Sequence, residues 1–126
     1  MLIDDNPDDN FFHERVIRRN NIADQVIAKQ TAAEALEYLH INELDAEALP
    51  DLIFLDINMP GMNGWEFFQE YSNQNKQPVK KPIFVILTTS DNPDDERKAG
   101  ALKGISEFRT KPLTKEMLES IISNYF

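Results

Sequence analysis

The stretch Leu52-Ile53-Phe54-Leu55-Asp56 places a carboxylate at the end of an uninterrupted apolar run. Four apolar residues without a polar break are typical of a strand that is buried on both faces, as in a parallel sheet covered by helices on both sides. In open sheets of this kind, ligands bind in the crevice outside the carboxyl ends of the strands. Asp56 is therefore a candidate functional residue.

Four further β-type runs flank this strand, and amphipathic helical stretches separate them. The predicted strands are 1–3, 25–30, Leu52–Leu55, Ile83–Thr88 and 107–110, and the predicted helices are Pro7–Arg19, 32–40, 65–72, 93–103 and 115 to the C-terminus. Strands that alternate with helices predict an α/β fold, with a parallel sheet between two helical layers. The polar stretches 42–50 and 73–81 are predicted to be loops.

Local signals mark several helix boundaries. Thr31 and Glu34 have the spacing of a capping box, and Thr114 is placed to cap the last helix. The pentapeptide DNPDD occurs at 5–9 and again at 91–95, each time after a strand. Its Asn suits an N-cap, its Pro the first helical position, and its acids the positive end of the helix dipole. We interpret the repeat as local helix-start chemistry, and Gly104 as the C-cap of the fourth helix.

Composition limits the possible functions. A chain of 126 residues that is 41% hydrophobic can form one core, so we expect a single domain over residues 1–126. There is no cysteine, which excludes disulfides and thiolate chemistry and is consistent with a cytoplasmic location. A net charge of −9 disfavours direct binding to nucleic acid. The apolar runs are too short to cross a bilayer, so we expect no membrane insertion.

Acidic residues follow the first strand as well as the third. Asp4 and Asp5 come directly after residues 1–3, and the carboxyl ends of parallel strands meet at one edge of the sheet. We therefore expect Asp4, Asp5 and Asp56 to converge. Clustered carboxylates repel each other, and a divalent cation relieves the repulsion. Mg²⁺ is the expected ion, because it prefers oxygen ligands and keeps waters that a phosphate oxygen can replace.

Thr88 ends the fourth strand and Lys111 follows the fifth, so a hydroxyl and a cation should reach the same edge. Taken singly, each feature has an ordinary structural explanation: acids are common at helix starts, and Thr is common in strands. The conjunction carries more weight, because acids, Asp, Thr and Lys each occur at the carboxyl end of a different strand. This combination suits phosphoryl-transfer chemistry.

The chain as a whole resembles the receiver domains of bacterial two-component response regulators. The matching segments are Leu2-Ile3-Asp4-Asp5-Asn6, Leu55-Asp56-Ile57-Asn58-Met59-Pro60-Gly61-Met62-Asn63-Gly64, Leu87-Thr88-Thr89-Ser90 and Phe108-Arg109-Thr110-Lys111-Pro112-Leu113. Together they are highly specific. The resemblance implies a flavodoxin-like, doubly wound sheet of five parallel strands in the order 2-1-3-4-5, with five helices, which is the order known for the chemotaxis member of the family.

The resemblance also implies the roles of the acidic residues. Asp56 would be the phosphoacceptor, which becomes 4-aspartylphosphate. Mg²⁺ would be held by Asp5, by Asp56 and by the backbone carbonyl of Asn58, and Asp4 would act largely through a bound water. The Pro60-Gly61 pair suits the tight loop after the acceptor.

Three further roles follow from the same resemblance. Thr88 would hydrogen-bond the phosphoryl group, and Lys111 would pair with it across a cis Lys111-Pro112 bond. Phe108 would change rotamer as Thr88 moves, although an ordinary core position is the commoner place for such an aromatic residue. Thr89 stands where the family often has alanine, which leaves the lifetime of the phosphorylated state open.

The implied function is signalling and not enzymatic turnover, with self-phosphorylation from small phosphodonors and self-dephosphorylation as its only reactions. The expected partners are a histidine kinase or phosphotransfer protein and a downstream protein target, reached through the face formed by the fourth helix, fifth strand and fifth helix. The first strand is shorter than is usual in the family, which leaves open whether residues precede Met1. No effector segment follows the fifth helix, so we expect output by protein–protein contact unless the chain is a piece of a longer protein.

Three other functions are weighed against this one. A calcium-binding loop from Asp56 would place Pro60 at a ligand position and Phe67 where the bidentate Glu belongs, which rules it out. A phosphatase of the haloacid-dehalogenase type should have a second Asp two residues after the nucleophile, and Asn58 stands there. The strongest alternative is a pseudo-receiver, a docking module without phosphorylation, but no acid, Thr or Lys of the motif is missing.

Overall fold

A five-stranded parallel sheet lies at the centre of the molecule. The computed structural model describes residues 1–75 and 77–126. The strands are β1 (Leu2–Ile3), β2 (Ala28–Lys29), β3 (Leu52–Leu55), β4 (Ile83–Thr88) and β5 (Ile105–Thr110), and the helices are α1 (Pro7–Arg19), α2 (Ala32–Ile41), α3 (Gly64–Gln74), α4 (Pro93–Ala101) and α5 (Lys115–Tyr125). The strand order is β2-β1-β3-β4-β5, which confirms the predicted fold and topology. No helix in the described residues combines the length and apolar character needed to cross a membrane.

The sheet separates two hydrophobic cores. Along β4, Phe84 and Ile86 belong to the core on the side of α2, α3 and α4, whereas Val85 and Leu87 belong to the core on the side of α1 and α5. β3 alternates in the same way between its two faces. Because consecutive residues of a strand point to opposite faces, burial on both sides requires every residue to be apolar. This is the physical reason for the unbroken runs in the sequence.

The outer strands differ most from their predicted bounds. β2 covers only 28–29 of the predicted 25–30, because its ladder is limited to the two pairs that it makes with β1. β5 begins at Ile105, two residues before the predicted start at Glu107. The reason is a bulge: Phe84 pairs with Ile105, but Val85 pairs with Glu107, so Ser106 is the extra residue.

Most of the predicted helix caps are confirmed. The side chains of Asn6, Thr31, Asn92 and Thr114 each accept a hydrogen bond from a backbone N–H in the first turn of the helix that follows. Of the predicted capping box at Thr31, the bond from the N–H of Glu34 is present, but the return bond to the Glu34 side chain is absent from the described residues. A complete capping box, with bonds in both directions, occurs at the start of α3 between Asn63 and Glu66, where none was predicted. With this cap α3 begins at Gly64, and it continues to Gln74 instead of ending at the predicted residue 72. The predicted loop 73–81 is shortened accordingly, and Lys76 within it lies outside the described residues.

The prediction that Gly104 caps α4 is wrong. The helix ends at Ala101, before the predicted 103, because Leu102 adopts an extended conformation and packs against the core beneath α2, α3 and α4. Gly104 instead lies in the turn into β5 with a φ of 107°. A Cβ there would also meet the ring of Phe68 at 2.9 Å, so both backbone conformation and space favour glycine.

Gly64→Ala is expected to destabilise the protein by about 1–3 kcal/mol, the usual cost of forcing an atom into a packed site. A Cβ at Gly64 would lie 2.6 Å from the carbonyl oxygen of Asp56 and 2.7 Å from the Cα of Ile57, and neither backbone atom can rotate away. Chemical unfolding followed by circular dichroism measures the change. Gly100→Ala in α4 is the matched control, because a Cβ there meets nothing within 4 Å and helix propensity favours Ala by up to about 1 kcal/mol. Equal effects at the two positions would contradict the packing argument.

Candidate functional site

Strand pairing brings the predicted carboxylates together. Ile3 and Leu55 are partners in the β1–β3 ladder, so the residues that follow them, Asp4 and Asp56, lie side by side at the carboxyl edge of the sheet. The N–H of Asp56 donates to the carbonyl of Ile3 at 3.0 Å, which fixes this alignment. Both side chains are buried. Asp5 is the third member, and each of the three carboxylates offers an oxygen within 4.8 Å of the others.

This group of oxygens fits a magnesium ion. Ligands on opposite sides of Mg²⁺ are separated by about 4.2 Å, twice the usual metal–oxygen distance, so three oxygens within 4.8 Å of one another need only small movements to share one ion. All the donors are carboxylate oxygens, the ligands that Mg²⁺ prefers. Only Asp4 and Asp56 are buried, and the more open position of Asp5 leaves room for coordinated water.

Lys111 supplies the positive charge of the site. Its Nζ donates to Asp4 Oδ2 at 2.5 Å, to Asp9 Oδ2 at 2.9 Å and to Asp56 Oδ2 at 3.3 Å. The side chain of Lys111 is only 9% exposed, so these contacts form largely out of water. The predicted cis peptide bond between Lys111 and Pro112 is present. Lys111 therefore lies where an anionic group bound to Asp56 would meet it.

Burial and charge shift the pKa values of this cluster in opposite directions. Burial raises the pKa of Asp56 above its ordinary value; the charge of Lys111 opposes this shift, and the charge of Asp4 adds to it. Burial by itself would lower the pKa of Lys111, but its hydrogen bonds to Asp4 and Asp9 and the charge of Asp56 outweigh burial and raise it. Lys111 is thus firmly protonated, whereas ionised Asp56 is an incompletely compensated charge.

Thr88 lies at the same carboxyl edge of the sheet, but its hydroxyl is hydrogen-bonded to the nearby Ser90. Its side chain is fully buried, and its Oγ1 accepts a hydrogen bond from the N–H of Ser90 at 3.2 Å. The hydroxyl of Ser90 in turn donates to Asp95 Oδ2 in the first turn of α4 at 2.6 Å. A backbone hydrogen bond of 2.8 Å runs from the N–H of Lys111 to the carbonyl of Thr88. Thr88 is therefore connected both to Lys111 and to the start of α4.

The remaining residues of the predicted site, Asn58, Phe108 and Thr89, differ in how close they lie to the carboxylates and in how deeply they are buried. The N–H of Asn58 donates to Asp56 Oδ1 at 3.2 Å, so this loop folds over the Asp56 carboxylate, and the Asn58 carbonyl stays a predicted ligand. Phe108 is partly buried and packs against the core beneath α2, α3 and α4. This is the ordinary core position that we considered as the alternative to a switch role. Thr89 is exposed.

Sequence reasoning missed three polar residues of α1 that lie close to the site. Asp9 was predicted only to interact with the helix dipole, yet it bonds Lys111. Asn10 Nδ2 donates to the carbonyl of Asp4 at 2.9 Å, and the buried Asn10 Oδ1 has no hydrogen-bond partner within residues 1–75 and 77–126. His13 is buried beside them, where burial and the charge of Lys111 lower its pKa while Asp9 and Asp4 oppose that shift.

The sequence pattern of α1 could have identified Asn10 and His13. Asn10, His13 and Ile17 are spaced by three and four residues and form the buried side of α1. Polar residues at core-facing positions of an amphipathic helix require polar neighbours, and the acid site is the available polar region. A cavity of about 10 Å³ lies between Asn10, His13, Asp4 and Asp56, which is about the space of one water molecule.

Comparison with known proteins agrees with this geometry. The chain matches the family described as "Response regulator receiver domain" over residues 1–123. Among solved structures, it is similar to a two component response regulator from Cytophaga hutchinsonii, with 34% identity, a TM-score of 0.86, and coverage of 98% of this chain and 92% of that one. A response regulator receiver protein from Dyadobacter fermentans has a TM-score of 0.85 at 23% identity, with 99% of this chain and 94% of that chain covered. The latter likeness concerns the fold alone.

Curated relatives differ greatly in length. The "Sensor histidine kinase CheAY" of Helicobacter pylori is 31% identical over 122 residues, which cover 97% of this chain but only 14% of that protein. "Protein PilH" of Pseudomonas aeruginosa is 24% identical over 98% of this chain and 93% of its own length. The same kind of domain thus occurs both within long proteins and nearly alone.

Asp56→Asn is expected to raise the free energy of unfolding by about 1 kcal/mol at neutral pH in EDTA, since it removes a buried and incompletely compensated charge. Because the folded pKa of Asp56 exceeds the ordinary 3.8, the folded state binds this proton more tightly than the unfolded state does. The contribution of Asp56 to stability therefore falls as pH rises from 3.8 through the folded pKa. Urea unfolding between about pH 4 and 8 should show that the gain from Asp56→Asn grows over this interval. The exposed Asp24 is the control, and a gain of similar size in Asp24→Asn would contradict the burial argument.

Proposed function

The chain belongs to the response regulator receiver family, and we propose on that basis that it is a phosphoryl-accepting signalling domain. In this proposal Asp56 takes a phosphoryl group from the phosphohistidine of a histidine kinase or phosphotransfer protein. The observation that carries the proposal is the convergence of Asp4, Asp5 and Asp56 at one edge of the sheet, where Lys111 bonds to Asp4 and Asp56. A docking module without phosphorylation would have no need to maintain this electrostatically unfavourable cluster.

The proposed reaction is an in-line displacement at phosphorus. An Oδ atom of Asp56 attacks, a P–O bond forms, and the P–N bond to the donor imidazole breaks. The released imidazole nitrogen takes up a proton from water. Catalysis of this kind requires mainly position and charge stabilisation. Burial of the Asp56 carboxylate and the nearby Lys111 ammonium supply both.

Lys111 and Thr88 would stabilise the phosphorylated state. The ammonium now lies 3.3 Å from Asp56 Oδ2 and can pair with the added phosphoryl oxygens. The hydroxyl oxygen of Thr88 accepts from the N–H of Ser90, and its own hydrogen can be donated to the same group when the side chain moves toward it. Hydrogen bonds in which one partner is charged are roughly twice as strong as neutral ones, and this site is largely removed from water.

A magnesium ion is the cofactor in this proposal. Asp5, Asp56 and the backbone carbonyl of Asn58 would hold it, with Asp4 acting through a bound water. When bound, Mg²⁺ neutralises the carboxylates and the phosphoryl oxygens. The supporting observation is the close set of three carboxylate oxygens.

Signalling would follow from the movement of Thr88. The bond from Ser90 to Asp95 joins the Thr88 segment to the first turn of α4, and Phe108 lies on β5 beside α4. Phosphorylation would shift an existing equilibrium between two arrangements of the surface formed by α4, β5 and α5. A downstream protein would then bind the changed surface. We place this function in the cytoplasm, in a single receiver domain that spans residues 1–126.

The first test is intact-mass analysis after incubation with acetyl phosphate and Mg²⁺. Wild type is expected to gain one phosphoryl group, and Asp56→Asn none, because an amide is a far poorer nucleophile. Omission of Mg²⁺ or replacement of Asp5 by Ala should slow the gain by more than about tenfold, since the loss of a metal-site interaction commonly costs roughly 10- to 100-fold. Asp24→Asn is the control and should react like wild type. Unchanged phosphorylation of Asp56→Asn would refute the acceptor assignment, and a wild type that gains no mass would favour the docking module.

Thr88→Ala is expected to accept the phosphoryl group but to transmit it weakly. The change removes the hydroxyl that would bond the phosphoryl oxygens, while Asp56 and Lys111 remain. Amide chemical shifts of Phe108 and its neighbours, measured with and without the phosphoryl mimic beryllofluoride, should change in wild type and change much less in Thr88→Ala. Thr89→Ala is the matched control at the exposed neighbouring position. Equal responses in wild type and Thr88→Ala would eliminate Thr88 as the coupling residue.

A further inference from the structure

Asp9 is the acid in this site that contacts Lys111 without belonging to the group that would hold the metal. Lys111 Nζ bonds to Asp4, Asp56 and Asp9, and the first two are members of the close carboxylate set. The side chain of Asp9 is 37% exposed, compared with 6% for Asp4 and 8% for Asp56. Asp9 therefore lies at the mouth of the site, on the side of Lys111 that faces solvent.

The position of Asp9 is fixed by the start of α1. The side chain of Asn6 caps the helix by accepting from the N–H groups of Asp8 and Asp9. The side chain of Asn10 donates to the carbonyl of Asp4 and so ties the first turn of α1 to the end of β1. The backbone of the first turn of α1 is thus fixed around Asp9. The 2.9 Å bond from Lys111 to the Asp9 carboxylate then connects α1 with the residue that follows β5.

Lys111 and a divalent cation compete for the same oxygens. An ammonium and a Mg²⁺ ion on shared carboxylates repel each other, and the repulsion is strong where water is scarce. When Asp4 and Asp56 are engaged by the metal, Asp9 is the partner that Lys111 can keep. By holding Lys111, Asp9 has opposite effects on the two groups that enter the site: it keeps the ammonium away from the oxygens that the cation needs, and it keeps the ammonium away from the phosphoryl oxygens.

We propose that Asp9 is a positioning residue that anchors Lys111 at the mouth of the site and sets the balance between metal binding and phosphoryl binding. The inference rests on the proposed function of Asp56. In this proposal Asp9 retains Lys111 when the metal takes the oxygens of Asp4 and Asp56, to which Lys111 is otherwise bonded. Transfer of Lys111 to the phosphoryl oxygens then requires the bond to Asp9 to loosen, so Asp9 restrains the phosphorylated state.

The test compares Asp9→Asn with Asp8→Asn. Both changes remove one negative charge from the first turn of α1, so their effects on the helix dipole match. Asp8 is exposed, and its carboxylate makes no ion pair in the part of the chain that the structure describes. Calorimetric titration gives the dissociation constant for Mg²⁺, and titration with beryllofluoride at saturating Mg²⁺ gives the affinity for the phosphoryl mimic.

Asp9→Asn is expected to weaken Mg²⁺ binding and to strengthen beryllofluoride binding, each by about three- to fivefold, as for a partly exposed charge close to the ligand. Asp8→Asn should change each constant by less than about twofold, and Asp9→Glu, which keeps the charge, should stay near wild type. The opposite signs are diagnostic, because damage to the structure would weaken both ligands together.

A double-mutant comparison tests whether Asp9 acts through Lys111. In a Lys111→Met background, the gain in beryllofluoride affinity from Asp9→Asn should shrink to the size seen for Asp8→Asn. The inference would be overturned if Asp9→Asn weakened the binding of both Mg²⁺ and beryllofluoride, or if it behaved like Asp8→Asn. It would also be overturned if Asp9→Asn gave its full gain in beryllofluoride affinity in the Lys111→Met background. A wild type that binds no beryllofluoride and gains no phosphoryl group would reject the proposed function and this inference with it. A competent wild type, together with an Asp9→Asn variant that binds both ligands as wild type does, would reject the inference alone.

Discussion

Mutual repulsion among Asp4, Asp5 and Asp56 is the constraint on which the rest of this site depends. Three carboxylates with oxygens within 4.8 Å of one another repel each other, and the repulsion is strong where water is scarce. The ammonium of Lys111 compensates part of this negative charge. Asp9, which bonds to the same ammonium, brings the number of acids around the site to four. Four acids and one base give the crevice an excess of negative charge, which a divalent cation would relieve.

The fold can hold these repelling carboxylates together because its two hydrophobic cores do not include them. Apolar side chains alternate across β3 and β4 into two separate cores, so the sheet is held from both faces. Burial of apolar surface stabilises by roughly 25 cal/mol per Å², and the cost of a few close charges is small compared with the sum over these cores. The strand register then determines where the charges lie, since Asp4 and Asp56 are the next residues after the paired Ile3 and Leu55.

Sequence predicts the site residues at the ends of strands better than those on helices. The convergence of Asp4, Asp56, Thr88 and Lys111 was predicted correctly, because parallel topology alone brings the carboxyl ends of the strands to one edge. The contact of Asp9 with Lys111 spans 102 positions in the chain, and it depends on how α1 is rotated about its axis. That rotation is set by the packing of Ile17 and the bonds of Asn10. The spacing of these residues marks the buried side of α1, but no local pattern reveals that Asp9 meets Lys111. The early end of α4 has a similar origin, because Leu102 leaves the helix to fill the core.

The bulge in β5 has a consequence for how this domain tolerates changes in chain length. Ile105 and Phe108 are three positions apart, and in a regular strand they would point to opposite faces. The extra residue Ser106 allows both to face the core beneath α2, α3 and α4. Deletion of one residue between them would turn either Ile105 or Phe108 toward α1 and α5. The segment 105–108 is therefore intolerant of a change in length, because a shift of one residue in register moves a side chain from one face of the sheet to the other.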